Sequence, residues 1–249
     1  MVTRIIDGNN ANRLMLLESE DGGELLTARL SAQGVGKVYA GDSLLFSVTP
    51  FGVSPVSNNI GDAGLAGFGV GICPALPAGF APLPGTTDPA SANYGNYQYS
   101  DGSIMVWVPR FYYRIGSPAS PCYATYGVNA IDIAENSAFG SEADANSAGY
   151  ALHRAFFDGG PQLGFFVDKY QCSNNGGIAS SVRYGAPLST AAVHNPISAL
   201  GGAPTNTFGG TITAAKTRGG AFHPASIFIY GALAMLSMAH GQAATASTW

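Results

Sequence analysis

The chain has 249 residues and a formal net charge of −4, with only 10% charged residues against 46% hydrophobic and 11% aromatic residues. Disordered chains have few aromatic and many charged residues, so this composition excludes an intrinsically disordered protein. No run of about 20 apolar residues is present and Lys and Arg form no basic cluster, so neither a transmembrane helix nor a nucleic-acid-binding surface is expected. The first ten residues contain Asp7 and lack an apolar core, which argues against a secretory signal.

Residues 1–50 predict a small antiparallel β module. Short apolar runs alternate there with turn residues such as Gly22-Gly23 and Gly41-Asp42. Turn residues between short runs of strand-forming residues are the usual signature of β-hairpins. No pattern of reactive side chains accompanies these strands, so we expect a module that docks the chain to other proteins.

Residues 51–92 predict an extended arm or linker. Glycines recur between Gly61 and Gly71, prolines recur between Pro74 and Pro89, and strand signals are few. A structureless segment of this length is unusual inside a compact domain, so we expect it to lie on a neighbouring subunit. The glycines do not have the GxGxxG spacing in a strand–turn–helix context, so a dinucleotide-binding loop is not expected.

Residues 93–249 predict an α+β domain, in keeping with a β-rich α+β fold class for the whole chain. Apolar residues fill both faces of residues 104–108, which predicts a central strand. Two more strands are predicted at residues 111–115 and 163–167, and short helices within residues 134–155 and at 211–217.

A longer helix is predicted from Pro224 to about His240. Pro224 suits the first helical turn, and the residues after it leave almost no polar face. A helix that is apolar all round is normally buried, so we expect this one to lie in the centre of the core.

The residues that most often carry out chemistry show no spacing typical of a catalytic or metal site. Cys73, Cys122 and Cys172 lie about fifty residues apart, which allows either one disulfide or unpaired buried thiols. No two histidines have the spacing of a helical zinc site. The acidic residues near Glu142 can be a solvated loop or a site for a hard cation, and the solvated loop is favoured. We therefore predict no catalytic residue, no metal site and no cofactor.

Aromatic residues cluster between residues 94 and 113. Most are expected to pack between strands. Tyrosine combined with Asn, Ser and Gly is also the chemistry of adaptable binding loops, because Tyr supplies rigid contact area at low entropic cost. The candidate binding surface consists of Tyr94, Asn96, Tyr97 and Tyr99.

Residues 153–156 (HRAF) and 164–173 (GFFVDKYQCS) resemble the opening motif of formylglycine-generating-enzyme-like domains, a branch of the C-type lectin fold. Residues 195–196 (NP) and 222–226 (FHPAS) follow in the order and rough spacing of later segments of that family. Residues 101–113 (DGSIMVWVPRFYY) are similar to bacteriophage structural proteins of this branch, some of which carry lectin-fold display domains targeted by diversity-generating retroelements.

The resemblance implies a C-type-lectin-like domain over residues 93–249. Its core and motif residues are expected to be Trp107, Phe156, Asp168, Lys169 and Tyr170. The closing half of the family, with its Gly-Asn-x-Trp-Glu segment, is absent before Trp249, so the domain is expected to be incomplete. Gln171 stands where the family usually has Glu. Enzymatic members hold copper with a late cysteine pair, and no cysteine lies beyond Cys172, so the resemblance implies the fold and the phage setting without oxidase activity.

These features together predict a non-enzymatic structural protein of a bacteriophage virion: a tail fibre, a receptor-binding protein or a capsid-decoration component. We expect residues 1–92 to dock the chain to other virion proteins and to sister subunits, in a homo-oligomer for which a trimer is favoured. The lectin-like domain is expected to contact a host receptor or glycan during host attachment. Two alternatives are a formylglycine-generating-type oxidase, or another enzyme on the same fold, and a secreted carbohydrate-binding lectin.

Overall fold

The computed structural model describes residues 59–186, 188, 197–200 and 207–244, together with the backbone of six strands between residues 3 and 55. The protein has both sheets and helices and is of the α+β class. Its contacts divide it into two compact units, Met1–Ser57 and Asn58–Trp249. The candidate segment at residues 195–196 lies outside the described residues.

The N-terminal unit is built from six strands: β1 (Thr3–Ile5), β2 (Leu14–Glu18), β3 (Glu24–Leu30), β4 (Gly36–Ala40), β5 (Ser43–Thr49) and β6 (Gly52–Pro55). Each strand pairs antiparallel with the next in the chain, which makes the sheet a meander. The strands continue to Pro55, past the boundary expected at residue 50. The docking role of this unit stays a prediction.

The C-terminal unit contains nine strands and four α-helices among its described residues. The strands are β7 (Phe80–Pro82), β8 (Asn96–Tyr99), β9 (Ile104–Pro109), β10 (Phe111–Ile115), β11 (Ile131–Glu135), β12 (Ala151–Leu152), β13 (Gly164–Asp168), β14 (Ser173–Asn175) and β15 (Ile178–Ser180). The helices are α1 (Tyr123–Tyr126), α2 (Glu142–Ser147), α3 (Phe208–Lys216) and α4 (Ile227–Ala243). Single 3-10 turns lie at Gly127–Asn129, Asn136–Ala138, Arg154–Phe156 and Ile197–Ala199.

Two antiparallel sheets form the frame of this unit. One has the strand order β13-β9-β8-β7 and the other the order β11-β10-β12, while β14 and β15 form a separate hairpin. The prediction of a central apolar strand is confirmed, because β9 pairs with β13 on one side and with β8 on the other. The strands predicted at residues 111–115 and 163–167 are present as β10 and, shifted by one residue, β13.

The chain passes from the first sheet to the second at Pro109 and Arg110. Pro109 ends β9 and is fully buried, and it has no backbone N–H that a continuing ladder could use. Arg110 then donates its backbone N–H to Leu163 O at 2.9 Å. Phe111, the first residue of β10, is completely buried and packs edge-on against Phe156, with ring centroids 5.2 Å apart.

Gly164 allows β13 to approach β9 closely. A Cβ atom at this position would overlap the Trp107 ring and lie 2.5 Å from the backbone oxygen of Val108. Real Cβ atoms do not approach backbone atoms that closely, since such an overlap displaces the strand. The glycine that opens the GFFVDKY stretch is therefore required by the packing of the sheet around Trp107.

Residues 59–92 belong to the C-terminal unit, so the expectation of a separate arm over residues 51–92 is wrong for this part. Ile60 is 1% exposed and lies in the main core with Val108 and Leu236. Gly71 donates its N–H to Trp107 O at 3.2 Å, and β7 is the edge strand of the larger sheet. Residues 59–92 contain few regular strands, and turns whose backbone hydrogen-bonds to the rest of the unit hold this segment in place.

Helix α3 begins earlier than the sequence predicted. It starts at Phe208 rather than at residue 211, because the side-chain oxygen of Thr207 accepts a hydrogen bond from Gly210 N and caps the first turn. Within residues 134–155, the predicted helix is limited to α2, and the flanking residues form β11 and β12.

Helix α4 is present, but the expectation that it is buried on all sides is wrong. Ser226 caps it by accepting a hydrogen bond from Ile229 N. Ala232, Leu236 and Ala239 are buried, and the helix packs on β11 and on the 3-10 turn Arg154–Phe156. The opposite face is exposed. Among the described residues, no helix has the length and apolarity required to span a bilayer.

We predict that Leu236→Ala lowers the free energy of unfolding by about 2–5 kcal/mol, since Leu236 is 5% exposed and its truncation leaves a cavity in the core. The matched variant is Leu65→Ala, because Leu65 is 56% exposed, and its cost should be about 0.5 kcal/mol or less. Chemical denaturation measures both. Equal costs for the two variants would contradict the assignment of α4 to the core.

Candidate functional site

Two of the four residues predicted to form a binding surface lie inside the domain. Tyr97 and Asn96 are each 3% exposed. The Tyr97 hydroxyl accepts a hydrogen bond from Cys73 N at 2.8 Å, and Asn96 Nδ2 donates to Ala92 O at 3.0 Å. The binding assignment is therefore wrong for these two residues, because β8 turns them inward, where they fasten the preceding loops to the sheet.

Tyr94 and Tyr99 are half-buried, so their predicted role in ligand binding stays a prediction. Burial raises the pKa of Tyr94. The Tyr99 ring lies between those of Phe80 and Phe222, each at 4.9 Å between centroids, and its hydroxyl donates to Arg218 O at 3.4 Å. Most of the Tyr99 side chain thus serves to join β8 to the segment that follows α3.

Arg218 forms a buried ion-pair network with two aspartates. Its side chain is 4% exposed, its Nε lies 3.1 Å from Asp101 Oδ2, and its Nη1 lies 2.7 Å from Asp168 Oδ1. Ser180 Oγ donates to Asp101 at 2.9 Å. The Phe222 ring lies 4.4 Å from the guanidinium carbon. The network joins the β8–β9 turn, the end of β13, the end of β15 and the segment that follows α3.

The two carboxylates respond differently to this environment. Burial acts to raise the pKa of Asp101, but hydrogen bonds from Ser103 and Ser180 and the charge of Arg218 outweigh it, so the pKa is lowered. Burial raises the pKa of Asp168, and the charge of Arg218 offsets this only in part. Asp101 is therefore the carboxylate that the fold holds most firmly in its ionised form.

The other residues implied by the family resemblance build the frame of the domain. Trp107 is 7% exposed and packs on Phe166 at 4.9 Å between centroids, and Phe156 is completely buried. Lys169 Nζ donates to Ala92 O at 3.2 Å, and the Tyr170 N–H donates to Ser181 Oγ at 2.9 Å. The partner of Asp168 is Arg218, so the neighbouring Asp168 and Lys169 serve different contacts.

The three cysteines are free thiols in the structure. Burial raises the pKa of Cys172 to about 11, with a further contribution from the charge of Asp168. Burial also raises the pKa of Cys73, whose Sγ donates to Ala75 O at 3.3 Å. Since the thiolate is the reactive and metal-binding form, Cys172 is a structural thiol at neutral pH.

The histidines and the acidic loop make local structural contacts. His153 caps the turn Arg154–Phe156 by accepting from Ala155 N, and burial lowers its pKa. His240 accepts from Gly64 N at 3.1 Å. Ser141 caps α2, and its hydroxyl donates to Asp144. Among the described residues, no three side chains of His, Cys, Asp or Glu are grouped so as to hold a metal ion. His194 lies outside those residues.

An open cleft of about 220 Å³ lies beside β10 and β12. Strand β10 supplies Tyr112 to one wall and β12 supplies Leu152, while the turn after β11 and the start of α2 supply the other side. Its lining residues include Arg110, Tyr112, Asn136, Phe139, Glu142 and Leu152. The cleft thus combines a cation, a carboxylate, an amide and two aromatic rings.

Direct contacts position two polar and two aromatic side chains of this cleft. Arg110 Nε donates to Asn136 Oδ1 at 2.6 Å, and the backbone N–H of Arg110 is held by Leu163 O. The Tyr112 and Phe139 rings meet edge-on, with centroids 5.4 Å apart. Fixed donors and acceptors beside an apolar wall are the usual means of orienting a small polar ligand.

Arg110 and Arg218 were not singled out from the sequence. Each is one of only 11 Lys and Arg residues in the chain, and neither lies in a charged run. Arg110 follows a proline between two predicted strands, where the chain must turn, and this position was the available signal. Arg218 lies more than a hundred residues from Asp101, so only the tertiary structure brings the two together.

A scan of known protein-family models gives no match to this chain, and comparisons with curated proteins and with solved structures give none either.

We predict that Arg218→Leu lowers the free energy of unfolding by about 3 kcal/mol at neutral pH, because it leaves the buried Asp101 and the partly buried Asp168 without their shared cation. Burial already raises the pKa of Asp168, and without the offsetting charge of Arg218 its folded-state pKa should lie further above the unfolded value of about 3.9. Protonation as the pH falls then relieves the repulsion, so the loss should be smaller at about pH 4 than at about pH 7.

The control is Arg154→Leu, measured by chemical denaturation at the same two pH values. Arg154 is exposed, and its guanidinium lies over the Phe157 ring at 5.1 Å. Its replacement should cost about 0.5 kcal/mol or less at either pH. A loss for Arg218→Leu that is independent of pH would show that packing, and not charge, makes this residue necessary.

Proposed function

We propose that this chain is a non-enzymatic structural protein of a bacteriophage particle, in which residues 93–249 form a C-type-lectin-like domain that presents a ligand-binding cleft. The phage setting rests on the sequence resemblance at residues 101–113 and 153–173. The motif residues of those stretches are used for packing, such as Trp107 and Phe156, or for the buried ion pair of Asp168. Their structural use supports a rigid frame with the binding groups placed at its edge.

The cleft at Arg110 is the observation that carries the binding role. At about 220 Å³ it is smaller than the roughly 300–1,000 Å³ of pockets for drug-sized ligands, so it suits a single sugar ring or one side chain. A sugar ring has hydroxyls that can accept from Arg110 and donate to Glu142, and an apolar face that can lie against the wall containing Phe139. A glycan of a host surface is the ligand class that this combination favours.

The chemistry of Cys172 argues against the oxidase alternative. A copper-dependent oxidase of the resembling family needs two thiolates close together, because Cu(I) prefers soft ligands. Burial, with a smaller contribution from the negative charge of Asp168, raises the pKa of Cys172 to about 11. Ionisation of this thiol at neutral pH is therefore unfavourable. The oxidase remains the alternative on the same fold, and a secreted lectin is the alternative that shares the proposed cleft.

Particles purified from the phage that encodes this chain are expected to contain it at a fixed copy number relative to other virion proteins, because structural components are incorporated through stoichiometric contacts. Quantitative mass spectrometry across a density gradient measures this, with a cytosolic host protein as the control for carry-over. A chain recovered only outside the particle band would contradict the virion role and favour the secreted lectin. One copper per chain with oxygen uptake on a cysteine-containing peptide would favour the oxidase.

We predict that the purified chain binds members of a glycan panel and that Arg110→Ala lowers the affinity about tenfold or more, since a hydrogen bond from a charged donor contributes roughly 1.5–3 kcal/mol. The matched control is Arg183→Ala, because Arg183 is an exposed arginine that stacks on Tyr184 and does not line the cleft. Equal losses for the two variants, or no binding to any glycan by the unmodified chain, would contradict the cleft as a sugar site.

A further inference from the structure

The outward face of α4 is an exposed apolar stripe. Ile227 is 81% exposed, Tyr230 is 64% exposed and Met238 is 54% exposed, and Phe228 beside them in the first turn is 50% exposed. Ala234 lies exposed between them. The buried residues of the same helix, centred on Leu236, lie on the opposite side. A helix of 17 residues therefore has one apolar face in the core and another in solvent.

The spacing of the exposed residues is that of a helix–helix contact. Positions 227, 230, 234, 237 and 241 alternate in steps of three and four, and they carry Ile, Tyr, Ala, Ser and Gly. This alternation places side chains along one seam that a second helix can follow, with large residues at some positions and small ones at others. Ala234 and Gly241 keep the seam shallow, so that two backbones can approach closely.

No charged residue of the Asp, Glu, Lys or Arg types occurs anywhere in α4. An uncharged face can pack against an identical copy of itself without like-charge repulsion. A partner that binds through charged side chains would have no oppositely charged residue on α4 to pair with. Symmetric association of identical surfaces is also the commonest form of protein assembly. These two arguments favour a second copy of the same chain as the occupant.

The exposed area is sufficient for such a contact. At roughly 200 Å² for each large side chain, the four exposed residues present about 500 Å² per copy. Complete burial of these four side chains in two copies removes about 1,000 Å² from solvent, which reaches the lower bound for a specific interface.

We propose that α4 is a self-association surface, through which copies of this chain pack helix against helix about a rotation axis. The interface adds a specific contact to the proposed function. It rests on that function only for the assumption that the oligomer is part of a phage particle. It gives the expected homo-oligomer a defined contact in the C-terminal unit, independent of residues 1–57.

The test is the mass of the full chain in solution, measured by sedimentation equilibrium. The unmodified chain should have a mass two or more times the 25.5 kDa of one copy. Ala234→Glu should reduce the mass to that of one copy, because it places a charge in the centre of the seam. Ala143→Glu is the matched control, since it makes the same substitution at an exposed position of α2 and should leave the mass unchanged. Met238→Lys provides a second variant on the same face, because Met238 is an exposed residue one turn after Ala234 and beside the seam.

Circular dichroism and the thermal midpoint establish that each variant is folded. A monomeric unmodified chain would overturn the proposal. An oligomer that survives both Ala234→Glu and Met238→Lys would also overturn it, and would assign association to another surface, such as the N-terminal unit. The particle measurement is independent of these outcomes, so failure of the interface and failure of the virion role are distinguishable.

Discussion

Arg218 carries a positive charge into the interior of the C-terminal unit, where a charge is tolerated only when it is paired and hydrogen-bonded. Asp101 and Asp168 supply the pairs, and the Phe222 ring covers the guanidinium. The segments that meet there contain residues 101, 168, 180 and 218, and most of them lack long regular elements of their own. Hydrophobic contact alone brings such segments together without fixing their register. The directional bonds of one guanidinium can fix it, because each N–H points at a particular oxygen.

The local sequence pattern was sufficient to predict where strands lie, but it was insufficient to predict which residues are buried. Strands β9, β10 and β13 could be predicted because dense runs of apolar and aromatic residues need no information from elsewhere in the chain. The two faces of α4 could not be separated in the same way, since both are apolar and sequence periodicity distinguishes only faces of unlike polarity. Ile60 was missed for the opposite reason. It is a single apolar residue among glycines, and its burial depends on Val108 and Leu236, which are distant in sequence.

For the candidate cleft, the sequence indicated suitable residue types but not their place in the chain. Tyrosine, asparagine and small residues were singled out as binding chemistry, yet the stretch chosen for it turns Asn96 and Tyr97 into the domain. The same residue types line the cleft around Asn136, between β10 and the start of α2. The residue types along β8 do not reveal which side chains face inward, because tyrosine, asparagine and glutamine occur both in the interior and at the surface of proteins. The position of a cleft depends on where two elements diverge, and that is a tertiary property.

The transition at Pro109 and Arg110 has a mechanical consequence. Arg110 is the one residue between β9 and β10, and both strands are hydrogen-bonded to neighbours on each side. If the proposed ligand binds at Arg110, tension applied to that ligand passes into the inner strands of two sheets at once. It must shear several ladder bonds together, whereas tension on a peripheral loop would break contacts one after another. Under flow or collision, the mechanical strength of a contact matters as much as its affinity at rest. An attachment point at this junction would therefore resist detachment by such forces.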